Sequence, residues 1–243
     1  MLKRLIETAM RSAPTISSPI WRRVYPLFRK DERWVGTEYG QNRSETFTTI
    51  FAENRWGDAE SVSGSGSNRS NTKMVARSLL KAVARTGAKT LLDAPCGDLH
   101  WMKDVALPGD YIGGEIVAEL VTDLETKYGG PRRRFVNLDI VSDPLPDADL
   151  WLCRHVLMHL SHADILEVLA NFTRSRIGYI LVDDYSFERR NRNIQTGGYR
   201  YVNLRRAPFN LPKPLAEYPN SVPPNAPDYL SLWSREQVAA ALA

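Results

Sequence analysis

The sequence predicts an α/β fold in which a mostly parallel sheet is covered on both faces by helices. Three observations predict it. First, short continuous apolar runs at 90–93, 111–115, 134–139, 149–153 and 177–182 alternate with helical patterns. Runs of this kind belong to strands buried on both faces. Second, several of the runs end in an acid, namely Asp93, Glu115, Asp139 and the pair Asp183-Asp184. Third, 243 residues suffice for one domain with an extension, or for two small ones. A chain of that length buries about 70% of its unfolded surface.

The elements follow in order. Residues 35–71 read as loop-rich, either a lid or a linker. Their serine- and glycine-rich stretch, 61–70, suits a flexible spacer, or a loop whose backbone approaches a ligand closely. Asn71 or Thr72 is placed to cap a helix reaching Thr86, with Val75, Leu79 and Val83 on its apolar face and Gly87 as its stop. A second helix is expected over about 117–127, before Gly129-Gly130. A third runs from His162 to Arg174, with Ser161 as its cap and Ile165, Leu169 and Phe172 inside. In the tail, 199–204 and 229–233 read as strands separated by a packed proline-rich loop. The chain thus divides into an arm (1–34), a lid or linker (35–71) and a folded domain (72–243).

The net charge is +4, from 32 basic and 28 acidic residues. Eight basic and three acidic groups fall within residues 1–33, which leaves 24 basic and 25 acidic groups on the rest. A nucleic-acid reader would carry its basic face on the folded body, so none is expected. The arm interleaves arginines with Trp21, Tyr25 and Phe28. It suits packing of its aromatics on the body, or peripheral contact with an anionic membrane. No run of 18 apolar residues occurs, and no secretory signal is expected at the start. Two cysteines, Cys96 and Cys153, offer no disulfide framework, and a cytoplasmic location fits them best.

In an open α/β sheet, ligands bind at the carboxyl ends of the strands, near the switch point. Those ends carry Asp93, Glu115, Asp139, Arg154-His155 and Asp183-Asp184. The first turn, Asp93-Ala-Pro-Cys-Gly-Asp-Leu-His100, has one glycine, and no phosphate-cradling loop occurs. Glu115 lies 18 positions beyond Gly97, which suits an acid that binds ribose hydroxyls. A nucleoside without a bound pyrophosphate is the ligand such ends would take.

Here the sequence resembles the class I S-adenosylmethionine-dependent methyltransferases. Leu92-Asp-Ala-Pro-Cys-Gly-Asp98 is similar to their first motif, Gly114-Glu115-Ile116 to the second, Leu138-Asp139-Ile140 to the third, and Asp149 to His155 to the fourth. Pro95 and Leu99 stand where two of the family's glycines commonly fall. The first motif, with Trp101, also resembles a bacterial subgroup. The likeness covers about residues 72–183 and, more loosely, the final hairpin. It implies a Rossmann-like three-layer sandwich with seven strands in the order 3-2-1-4-5-7-6 and an antiparallel C-terminal hairpin. It implies S-adenosyl-L-methionine as cofactor. Glu115 would meet the ribose diol and Asp139 the adenine amino group. Asp93 and the backbone at Gly97 would hold the methionine ammonium. Pro95, Trp101, Ile116, Ile140 and Arg154 would complete that site.

The expected reaction is methyl transfer to a hydroxyl of a small molecule or glycan. A nitrogen acceptor, a non-catalytic cofactor-binding role, or a membrane- or partner-docking role through residues 1–34 stand as alternatives. A hydroxyl acceptor needs a base, and His155 or His159 supplies one, unless either merely hydrogen-bonds across the site. No metal is expected, since the histidines and Asp183 or Asp184 form no compact ligand motif. Arg55 and Trp56 ahead of the domain, with Asp183, Asp184 and Asn193 after the fifth strand, are the candidate substrate contacts.

Overall fold

The structure is a computed structural model, describing residues 22–23, 25–27, 40–221 and 227–243. Its seven strands are β1 (Thr90–Asp93), β2 (Asp110–Glu115), β3 (Arg133–Asn137), β4 (Leu150–Cys153), β5 (Tyr179–Asp184), β6 (Ala216–Pro219) and β7 (Tyr229–Ser234). They form one sheet in the order β3-β2-β1-β4-β5-β7-β6. β1 to β5 pair in parallel, while β7 runs antiparallel to both β5 and β6. The Rossmann-like order and the antiparallel terminal hairpin are those expected.

Side-chain alternation splits the core. On one face lie Leu92, Trp151, Cys153, Ile180 and Val182, packed with Ile165, Val168 and Phe172 of the helix His162–Arg174 (α4). On the other lie Leu91, Leu150, Leu152 and Leu181. They pack against Val75 and Leu79 of Arg69–Thr86 (α2) and against Leu120 and Leu124 of Ala118–Tyr128 (α3). Burying each such side chain stabilises by about 1.5–3 kcal/mol. The cap of α4 is as expected, since the Ser161 side chain accepts from Asp164 N.

Four expectations are corrected. The helix expected to begin at Asn71 or Thr72 begins at Arg69, with Asn68 at its cap. The loop-rich region contains a helix, Arg43–Ala52 (α1), capped by Asn42, whose side chain accepts from Glu45 N. Residues 199–204 form no strand, because their backbone partners are scattered. Arg200 N donates to Met158 O, Tyr185 N donates to Val202 O, and Asn203 N donates to the Asn191 side chain. The partner strand of β7 comes instead from the proline-rich stretch. There Pro219 closes β6 at the sheet edge, where a missing N–H is tolerated. A last helix, Arg235–Leu242 (α5), follows β7 through a Ser234/Gln237 capping box.

Most of the arm lies outside the described residues, and so does most of the surface on which its membrane contact was expected. Within it, the Arg22 guanidinium sits 4.0 Å from the Tyr229 ring centroid and donates to Glu217 at 2.5 Å. Tyr25 is buried against Phe187. No helix among the described residues is long and apolar enough to cross a membrane.

Candidate active site

Strand order reverses between β1 and β4, so the chain opens a crevice at their carboxyl ends. A cavity of about 1030 Å³, open mouth included, occupies it. Asp93, Pro95, Gly97, Trp101, Glu115, Ile116, Asp139, Ile140, Arg154, His155 and His159 all line it. Trp56 lines it as well. Four motifs separated in sequence thus converge on one space.

The first turn ties β1 to β2. Gly97 has φ +55, and its N–H donates to Glu115 Oε2 at 3.1 Å. The spacing of 18 residues therefore closes as a hydrogen bond. Glu115 Oε1 accepts from the N–H groups of Ile116 (2.9 Å) and Val117 (3.3 Å). A carboxylate has about four lone-pair sites, so Oε2 keeps one for a ligand hydroxyl. Burial raises the Glu115 carboxyl above its ordinary range, against those three N–H groups. Asp93 accepts from the Tyr111 hydroxyl at 2.8 Å. Burial pushes its carboxyl up to about 7. A cationic ligand group beside Asp93 would reverse that shift, and this fits the ammonium of a methionine tail.

The serine-rich stretch seats on this turn. Ser61 Oγ donates to Asp98 Oδ2 at 2.8 Å, and Ser63 Oγ donates to Asp98 Oδ1 at 3.2 Å. Asp98 N donates back to Ser63 Oγ at 3.0 Å. A Cβ at Gly97 would fall 2.2 Å from that Oγ, so only glycine admits the loop. Val62, Ser63 and Ser67, with Phe47 and Phe51 of α1, make one wall of the cavity.

Asp139 lies in the lining but is engaged by Arg43 of α1. Arg43 Nε donates to Asp139 Oδ2 at 2.9 Å, and its Nη1 donates to Asp164 at 3.2 Å. Val141 N and Ser142 Oγ also donate to Asp139. On the count applied to Glu115, Oδ1, which accepts only from Val141 N, keeps one site for an adenine amino group.

Arg154 follows β4 and is buried. It donates to Asn220 Oδ1 at 2.8 Å and to Gly66 O at 2.9 Å. His155 has φ +54, a left-handed conformation costing a residue with a Cβ about 1–2 kcal/mol. Its N–H, donating to buried Asp183 Oδ1 at 2.5 Å, holds that conformation. His155 Nε2 lies 3.1 Å from Oδ2 of Asp228, which is buried. Burial raises the Asp228 carboxyl, but the hydrogen bonds from the His155 ring and Ser221, with the Arg154 charge, outweigh it, so the group sits below its usual range. A carboxylate only accepts, so Nε2 carries the proton and Nδ1 keeps the lone pair. A Cβ at residue 66 would fall 2.6 Å from Nδ1, so the Gly66 backbone packs against that edge of the ring and only glycine fits there.

His159 differs. Its Nδ1 donates to Gly198 O at 2.8 Å, and its ring lies between Trp56 (5.4 Å) and Tyr199 (5.7 Å). Burial lowers its pKa to about 4, so it is neutral and weakly basic near pH 7.

Other expected contacts lie elsewhere. Arg55 pairs with Glu53 near the surface and does not line the cavity. Asn193 accepts from His162 N at the start of α4. Asp183 acts from behind, through the His155 backbone. Asp184 accepts from Leu204 N and pairs with Arg205. No group of His, Cys, Asp and Glu suited to a metal occurs among the described residues. Asp228, Asn220 and Arg43 were not legible in the sequence. Asp228 lies 73 positions from its histidine with no motif joining them.

No family model matches the sequence, and no curated protein matches it either. Solved structures do. The mitomycin 7-O-methyltransferase matches with a TM-score of 0.57 at 19% identity, over 82% of this chain and 61% of its own. A Burkholderia thailandensis 1,6-didemethyltoxoflavin-N1-methyltransferase matches with 0.53 at 17%, over 85% and 97%. Human N-acetylserotonin methyltransferase matches with 0.50 at 16%, over 81% and 60%. The chain therefore spans about 60% of the first and third of these. The likeness shows the methyltransferase Rossmann-like fold.

Proposed function

We propose that this protein is an S-adenosylmethionine-dependent methyltransferase that acts on a hydroxyl group, with His155 as general base and Asp228 as its orienting partner. The observation that carries the reading is the His155–Asp228 pair, standing where the strand-end cavity meets a second one. The fold supports the same class of chemistry. So does the lining: Asp93 suits a cationic tail and Glu115 keeps a lone pair for a ribose hydroxyl.

When bound, the cofactor supplies an electrophilic methyl group attached to a sulfonium. The chain supplies alignment, which contributes on the order of 7–11 kcal/mol. Asp228 fixes the His155 tautomer, leaving Nδ1 to take the hydroxyl proton as the oxygen acquires the methyl group. Asp183 fixes the backbone from which the imidazole projects. His159, with a pKa of about 4, is too weak a base for this task and serves as wall. The serine-rich loop is held over the Gly97 turn by the hydrogen bonds between Ser63 and Asp98.

The test uses tritiated S-adenosylmethionine with fractionated acceptor extracts, and mass spectrometry to identify the product linkage. His155→Gln is expected to lose about 10²–10⁴-fold in kcat, with S-adenosylhomocysteine affinity kept within a few fold. Wild-type turnover in His155→Gln, or an N-methyl product, would refute the reading.

A further inference from the structure

A second cavity of about 1240 Å³, open mouth included, adjoins the first and shares Trp56, Ser63, Arg154, His155 and His159 with it. Two contiguous patches line it. The first is a train of ring contacts: Trp56 to His159 at 5.4 Å, His159 to Tyr199 at 5.7 Å, Tyr199 to Tyr201 at 5.7 Å, and Tyr201 to Tyr185 at 4.8 Å. The second is a hydrogen-bonded cluster of Arg154, Asn220, Asp228 and His155. Asn71 and Ser221 add further amide and hydroxyl groups to the lining.

The aromatic patch is a contiguous run of rings tilted against one another, its neighbours crossing at 37° to 69°. A flat aromatic acceptor needs a slot with apolar walls on both sides, and this cavity offers polar groups beside its single aromatic surface. A ligand with one face of C–H bonds and a rim of hydroxyls matches both patches at once. The aromatic rings take its apolar face, and the Asn, Asp and His groups take its hydroxyls. An anion is disfavoured in the cluster, because the carboxylates of Asp228, Asp183 and Asp93 already surround the Arg154 charge.

We propose that this chamber is the acceptor site and that it takes a carbohydrate, a pyranoside or short oligosaccharide, one of whose hydroxyls meets His155. The proposal rests on the methyl-transfer reading for its reaction, but not for its binding. The experiment is saturation-transfer NMR on the full chain, with and without S-adenosylhomocysteine. The probes are methyl hexopyranosides and their β-1,4-linked oligosaccharides, compared with catechol and 4-methoxyphenol.

Saturation of the ring C–H protons is expected for the glycosides and not for the phenols. Tyr199→Ala should weaken glycoside binding about tenfold, the scale of losing one aromatic stacking partner. Tyr199→Phe should restore it. S-adenosylhomocysteine affinity should stay within twofold in both variants, which also reports that they fold. Phenol binding with glycosides at background would overturn the proposal, and so would glycoside binding that Tyr199→Ala leaves unchanged. If the wild-type chain failed to bind S-adenosylhomocysteine, the transfer reading would fall. Glycoside binding sensitive to Tyr199 would still support the chamber's assignment, and its absence would overturn it.

Discussion

Replacing Gly97 by alanine tests how the serine-rich loop is held. The new Cβ would lie 2.2 Å from Ser63 Oγ and 3.1 Å from Ser63 Cβ. Ser63 must then withdraw, breaking the bond that Asp98 N donates to it at 3.0 Å and the one it donates to Asp98 at 3.2 Å. Each is worth about 0.5–1.5 kcal/mol net. Alanine at φ +55 adds about 1–2 kcal/mol of backbone strain. The total is about 2–5 kcal/mol, read as a lower urea midpoint at unchanged slope. Ser63→Gly removes the clash, so the double variant should be less destabilised than the two single changes combined, by about 1 kcal/mol. A cost under about 0.5 kcal/mol for Gly97→Ala, or strict additivity with Ser63→Gly, would mean that the loop does not sit on the turn.

Two further predictions concern charges in the crevice. The Asp93 carboxyl is raised from 3.8 to about 7 by burial. A carboxyl raised on folding contributes stability that is complete below about pH 4 and is lost as pH climbs towards 7. Asp93→Asn, which keeps an acceptor for Tyr111, should therefore match the wild type near pH 4 and exceed it at pH 8, by about 4 kcal/mol at most. Parallel urea curves at the two pH values check this, and equal stability at pH 8 would contradict it. Arg43→Ala frees α1 from both Asp139 and Asp164. We expect faster hydrogen exchange over residues 43–52 and a stability loss of about 1 kcal/mol, since the pair is partly exposed.

What the sequence made legible, and what it hid, follows from range. Strands β1, β2, β4 and β5 stood out because a strand buried on both faces must be largely apolar, as Leu91 and Leu92 are on opposite faces of one strand, whereas β3, at the sheet edge, buries only Phe135. Glu115 was legible because its spacing from Gly97 is a local property of one strand–turn–strand unit, closed by a single bond. The helix Arg43–Ala52 hid because most of its apolar surface is three residues, Phe47, Ile50 and Phe51. The signal that could have found it is Asn42 capping Glu45. Residues 199–204 misled because Tyr, Val and Leu favour strands, while Arg200 turns inward to donate to Leu157 O and Leu160 O. Asp228 could not be found, since only the assembled sheet brings the residue before β7, across β5, to the His155 side chain that follows β4.

The central claim is that the crevice lined by Asp93, Gly97 and Glu115 holds a sulfonium nucleoside. Titration calorimetry of S-adenosylhomocysteine into the wild-type chain and into Glu115→Ala tests it most directly. The account predicts one site per chain in the wild type and an affinity at least about tenfold weaker in the variant, the scale of one hydrogen bond to a charged group. No heat from the wild type, or equal affinities in the two proteins, would contradict it.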